Sequence, residues 1–202
     1  VQEYLTGRDE KEWEDSLADG LNSYLLEAVR CVGYEGYEAL INAVRSYIQA
    51  LSKSREIPDN IEEWQTFINE LDSKHSLHLS GIMGVVCDNL SDKVLTVPEV
   101  QFWGEWLFKS RKLKISAETM RRILTKEVLM DAKCCAILVR HGKQLNHMYE
   151  AASEDEQEVF CEIVKQLAQN SQNHKALLRK MGLGKLLTKE KSTKADGGMS
   201  GQ

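Results

Sequence analysis

The sequence predicts an all-α protein made of stacked helical hairpins, on three observations. Apolar residues recur at helical spacing, i, i+3, i+4 and i+7, along most of the 202 residues. A Ser, Thr or Asn followed shortly by Glu stands ahead of one apolar stripe after another, which is how a helix start satisfies its free N–H groups. The chain holds only 2 prolines, and no stretch alternates apolar with polar residues as a half-buried strand must.

Taken in order, residues 1–20 read as an N-terminal extension with helical character, in which RDEKEWED is a solvated helical start. Leu21, Leu25, Val29 and Val32 form the first stripe. The glycines of VGYEG then make a tight turn into a second, Tyr37, Leu40, Ile41, Val44, Tyr47, Ile48 and Leu51, so that the two helices form an antiparallel hairpin. Asn60 with Glu63, Thr96 with Glu99, Ser116 with Glu118 and Ser153 with Glu156 open four further helices. Each leads into its own stripe: Trp64, Phe67, Ile68 and Leu71; Phe102, Trp106 and Leu107; Met120, Ile123 and Leu124; Phe160, Ile163, Val164 and Leu167. VLTV before Pro98 is too short for a sheet. The stretch 165–187 repeats helix, polar turn, helix. About ten short helices with short connectors suit a HEAT/armadillo-like solenoid over residues 21–187. The apolar-poor residues 188–202 form a disordered tail.

Composition bounds the function. A net charge of −5 and 42% hydrophobic residues fit a packed domain and argue against a general nucleic-acid binder, whose phosphate contacts need concentrated Lys and Arg. The five cysteines, odd in number and set in apolar helical patterns, read as reduced thiols of a cytoplasmic protein. No apolar run is long enough to span a bilayer, and no membrane partner is expected. The N-terminus lacks the pattern of a signal peptide, and a start at Val1 reads as a cut from a longer polypeptide.

No motif places a nucleophile beside a base, or metal ligands at a working spacing, so a non-enzymatic chain without cofactor or metal is expected. His75 and His78 lack a third ligand and read as a partly exposed pair. Cys134 and Cys135 point about 100° apart on a helix and read as packing. His141, His147 and His174 read as surface or capping residues. Lys109, Arg111, Lys112 and Lys114, followed by Arg121, Arg122 and Lys126, make the strongest local charge feature. They are either a solvated connector with helix-end cations or a dock for an acidic partner. Trp103 and Trp106 share a helix face beside this run, so one or both read as core; a Trp left exposed there would instead anchor an interface, and Trp103 is the candidate. Glu154 to Glu158 are the acidic first turn of a helix.

Two stretches bear a family resemblance. SYLLEAVRCVGYEGYEALINAVRSYIQAL, residues 23–51, and IMGVVCDNLSDKVLTVP, residues 82–98, resemble the C-terminal region of the tubulin-folding cofactor D family. The Asp88-Asn89-Leu90 triplet and the Thr-Val-Pro ending at Pro98 sit at that family's spacing. The resemblance covers residues 23–180, keeping helix lengths more than identity downstream, and departs at residues 54–60, where the connection is longer. It implies a HEAT-repeat chaperone that binds β-tubulin or the αβ-tubulin heterodimer. It also implies work with tubulin-folding cofactors C and E and an Arf-like small GTPase, in the cytoplasm and on the microtubule cytoskeleton, and a contribution to stimulating GTP hydrolysis by tubulin. Lys109, Arg111, Lys112, Lys114, Arg121, Arg122 and Trp103 are the expected contacts. The alternatives are an unrelated armadillo/HEAT scaffold, formin-like or transport-receptor-like, and a helical protein that uses the basic run on nucleic acid.

Overall fold

The computed structural model describes residues 8–19, 34–109 and 117–188. Among these there are eleven α-helices, one short 3-10 helix and no strand. The helices are α1 (Glu10–Ala18), α2 (Tyr34–Ser54), α3 (Ile61–His75), α4 (Leu79–Leu90), α5 (Val97–Lys109), α6 (Ala117–Ile123), α7 (Lys126–Met130), α8 (Ala132–Arg140), α9 (Gly142–Ala151), α10 (Glu154–Asn170) and α11 (Gln172–Lys180). The 3-10 helix, Gly184–Leu187, closes the described chain apart from Thr188. The first expected stripe and the expected tail beyond Thr188 lie outside the described residues.

The predicted stripes are the buried faces. Leu40, Ile41, Val44, Ile48 and Leu51 of α2, the four stripe residues of α3, and those of α5, α6 and α10 all join one contiguous core. The Ser153–Glu156 capping box forms in both directions, side chain to backbone N–H at each end. At Thr96 and Glu99 the same reciprocity holds: the Thr96 N–H donates to Glu99 at 2.7 Å and the Glu99 N–H to Thr96 Oγ at 3.4 Å. Pro98 falls in this first turn, where its missing N–H breaks no helical bond. The Asn60 side chain departs from expectation, donating to the Glu63 carboxylate at 2.9 Å rather than capping the backbone. Ser116 lies outside the described residues.

Residues 10–18 are helical, as expected, but not the wholly solvated start that RDEKEWED suggests. Their helix is capped by an Asp9–Glu12 box, and Trp13 and Leu17 are wholly buried in the common core. α1 packs on α2 more extensively than any other pair of elements, so the acidic residues mask a one-sided apolar helix.

α2 also packs on α3 and α4, and α5 on α3, α4 and α8. Tyr47 stacks on Trp64 at 4.8 Å to join α2 to α3. Gly104 lets α5 approach α8, since a Cβ there would stand 3.1 Å from an Ile137 methyl. The turn between α3 and α4 places Ser76 and His78 in left-handed conformations, φ 57° and 55°. Arg45 steadies it from α2 by donating to the Ser76 and Leu77 carbonyls at 3.2 and 3.1 Å.

Candidate functional site

The basic run does not form one patch among the described residues. Lys109 is the last residue of α5 and is exposed. Arg122 stands at the other end, because its carbonyl accepts from the Leu95 N–H at 3.0 Å, two residues before α5 begins. A helix of 13 residues separates them by about 20 Å. Arg121 is exposed and Arg122 partly buried; Arg111, Lys112 and Lys114 lie outside the described residues. Trp103, the expected anchor, is 0% exposed. It packs edge-on against Phe102 and Trp106, so its area is already spent on the core and it offers nothing to a partner. Trp106 is buried as well and donates to Asn69 Oδ1 at 2.9 Å.

The 54–60 connection and the Asp88–Pro98 junction meet in a polar clasp. Arg55, in a left-handed conformation at φ 63°, donates through Nε and Nη2 to both oxygens of Glu99, at 2.6 and 2.8 Å. It also donates to the Val94 carbonyl at 3.0 Å and faces Asp92 at 3.7 Å. Glu99 is only 2% exposed. Burial would raise its pKa, but the hydrogen bonds from Arg55 and Thr96 outweigh burial and hold it below the ordinary carboxylate value. Nearby, Asn89 donates to the buried Ser52 hydroxyl at 2.8 Å. Sequence reading found the cap and missed the clasp, yet a signal existed: Glu99 is in register with Phe102, Trp103 and Trp106 on the apolar stripe, and a carboxylate there needs a cation.

A second feature, invisible in sequence, is an open groove of about 660 Å³ between the start of α3, α5 and α8. Its polar groups engage one another. Gln65 donates to the Gln101 and Phe102 carbonyls at 2.9 and 3.0 Å, Lys133 pairs with Glu62 at 3.0 Å, and Glu105 meets Arg140 and, at 2.7 Å, His141. These are the contacts of an inter-helix seam. They put no nucleophile beside a base.

The other candidate residues have structural surroundings. His75 ends α3 and stacks on Tyr37 at 3.9 Å, whereas His78 precedes α4 and is exposed. Among the described residues no three His, Cys, Asp or Glu side chains are placed to hold a metal ion. Cys87, Cys134, Cys135 and Cys161 are free thiols. Burial, with the Asp131 carboxylate beside it, pushes the Cys134 thiol up to about 12, far from the thiolate a nucleophile requires. No described helix is long and apolar enough to cross a membrane. Comparison with protein-family models, curated proteins and solved structures returned no match.

Proposed function

We propose that this chain is a non-catalytic interaction domain of a tubulin-folding cofactor, binding β-tubulin within the αβ heterodimer, and partner cofactors, during heterodimer assembly and disassembly. The observation that carries the reading is the meeting of the two resembling stretches. Residues 34–51 lie in α2 and residues 82–98 run from α4 into α5, and α2 packs directly on α4. Asn89, in the second stretch, donates to Ser52, one residue past the end of the first.

Stacked hairpins pair each helix with its neighbour and with the next but one. The contacts of α2 on α4 and α3 on α5 support a HEAT/armadillo-like arrangement over residues 34–109. Farther on, α5 packs on α8 and α6 on α10, contacts between elements more distant in sequence. In this reading any GTP hydrolysis belongs to tubulin or to an Arf-like small GTPase acting with cofactors C and E. The domain supplies binding energy to one state of the client.

Of the expected contacts, Arg121 and Lys109 are exposed among the described residues and are offered to the client as two separate contacts. Charge reversal at both, R121E with K109E, is expected to weaken capture of αβ-tubulin by immobilised chain several-fold, and added salt to weaken the unmutated contact in the same sense. Capture unchanged by reversal and salt would remove these contacts. Capture of a different client, with none of tubulin, would leave an unrelated helical scaffold.

A further inference from the structure

The two longest stretches of the chain without a carboxylate are residues 132–149, between Asp131 and Glu150, and residues 163–189, between Glu162 and Glu190. At the chain-wide frequency of 31 acidic residues in 202, about three and about four would be expected in them. The fold lays these stretches side by side. α8 packs on α11, the Asn146 amide donates to the Met181 carbonyl at 3.4 Å, and Lys185 reaches Glu150 at 2.8 Å. The approach is closest at two glycines. A Cβ on Gly142 would stand 2.5 Å from the Met181 carbonyl oxygen, and one on Gly182, whose φ is +79°, would stand 2.5 Å from the Asn146 amide.

This locked junction carries an exposed basic surface. Lys143 and His147 lie one turn apart on α9, and Arg179 and Lys180 end α11. Lys143 and Lys180 each stand one residue from the point where Gly142 meets Met181. Two carboxylates reach the junction and both are held, Glu150 by Lys185 and Glu105, from α5, by Arg140 and His141. The helix dipole accounts for Arg179 and Lys180, which sit at a C-terminus where cations are favoured. It does not account for Lys143, in the first turn of α9, where the dipole opposes a cation. The acidic first turn of α10, Glu154 to Glu156, follows α9 closely and bounds the surface against a long polyanion.

We infer that this surface docks a short acidic peptide segment of a partner protein, whose carboxylates meet Lys143, Arg179 and Lys180. The boundary at α10 favours such a segment over nucleic acid, whose phosphate backbone would run on into Glu154 to Glu156. The inference is independent of tubulin as client, since it concerns other elements than the proposed contacts at Lys109 and Arg121.

The test is fluorescence anisotropy with a labelled peptide of about four glutamates, short enough to stop before Glu154, at about 50 mM and about 200 mM salt, compared with a single-stranded DNA of about twelve nucleotides. The unmutated chain is expected to bind the peptide in a salt-sensitive manner and more tightly than the DNA. The triple variant K143E/R179E/K180E should lose at least about tenfold in affinity. The control K53E/K93E, which reverses exposed lysines on α2 and after α4, should bind as the unmutated chain does. Circular dichroism of both variants checks that they fold. Equal loss in the control, no loss in a folded triple variant, no peptide binding at the lower salt, or tighter binding of the DNA would each overturn the inference. If the triple variant does not fold, K143E and K180E are read singly, and peptide affinity unchanged by either would overturn it.

Discussion

The Glu99 carboxylate accepts from the Thr96 N–H at the start of its own helix and from the Arg55 guanidinium 44 positions earlier. Removing it as Glu99→Ala leaves Arg55 short of its main partner and should cost about 2–4 kcal/mol, read by urea unfolding. Because its pKa is held below the ordinary 4.5, the group contributes fully above that value, and the contribution is lost as pH falls through the folded-state pKa. Glu99→Gln should therefore flatten the dependence of stability on pH in the acid range, and unfolding curves at stepped pH check this. The Cys134 thiol should resist alkylation at neutral pH until the chain unfolds, as timed labelling followed by mass spectrometry would show. At this scale the sequence was half legible. A cap is local and can be read from Thr96 and Glu99 alone. Arg55 follows a helix end in a left-handed turn, and nothing within a few residues points it at α5.

Helices were the most legible level, because a stripe such as Leu40 to Leu51 or Phe160 to Leu167 is a direct image of the face it buries. The buried face of α1 escaped because the acidic residues between Arg8 and Asp15 outnumber the apolar ones, while burial needs only Trp13 and Leu17 one turn apart. Trp13→Ala should destabilise the whole chain by about 3–5 kcal/mol rather than merely fray its start, with helix content and core fluorescence lost together on heating. Gly142→Ala should cost about 1–3 kcal/mol, because the added methyl meets a backbone carbonyl at 2.5 Å that cannot swing away. Thermal unfolding of that variant checks the Met181 approach on which the junction of α9 and α11 depends. Trp103 shows the converse difficulty. Helical spacing told that Trp103 and Trp106 share a face, but which neighbours cover that face depends on α3 and α8, far away in sequence.

For the molecule as a whole, the all-α class followed from periodicity, whereas the order of packing did not. That α5 meets α8 and α6 meets α10 is decided by non-local complementarity, for instance the close approach that Gly104 permits to Ile137. Charge behaved likewise. The run from Lys109 to Arg122 is compact in sequence, yet α5 holds its described ends apart, while Lys143 and Lys180, 37 positions apart, flank the contact of Gly142 with Met181. Size-exclusion chromatography of the purified chain with αβ-tubulin, at low and physiological salt, tests the central proposal most directly. Co-elution as a discrete complex, weakened by salt, is the expected result; separate elution at both salts, with each protein folded, would contradict a tubulin-binding domain.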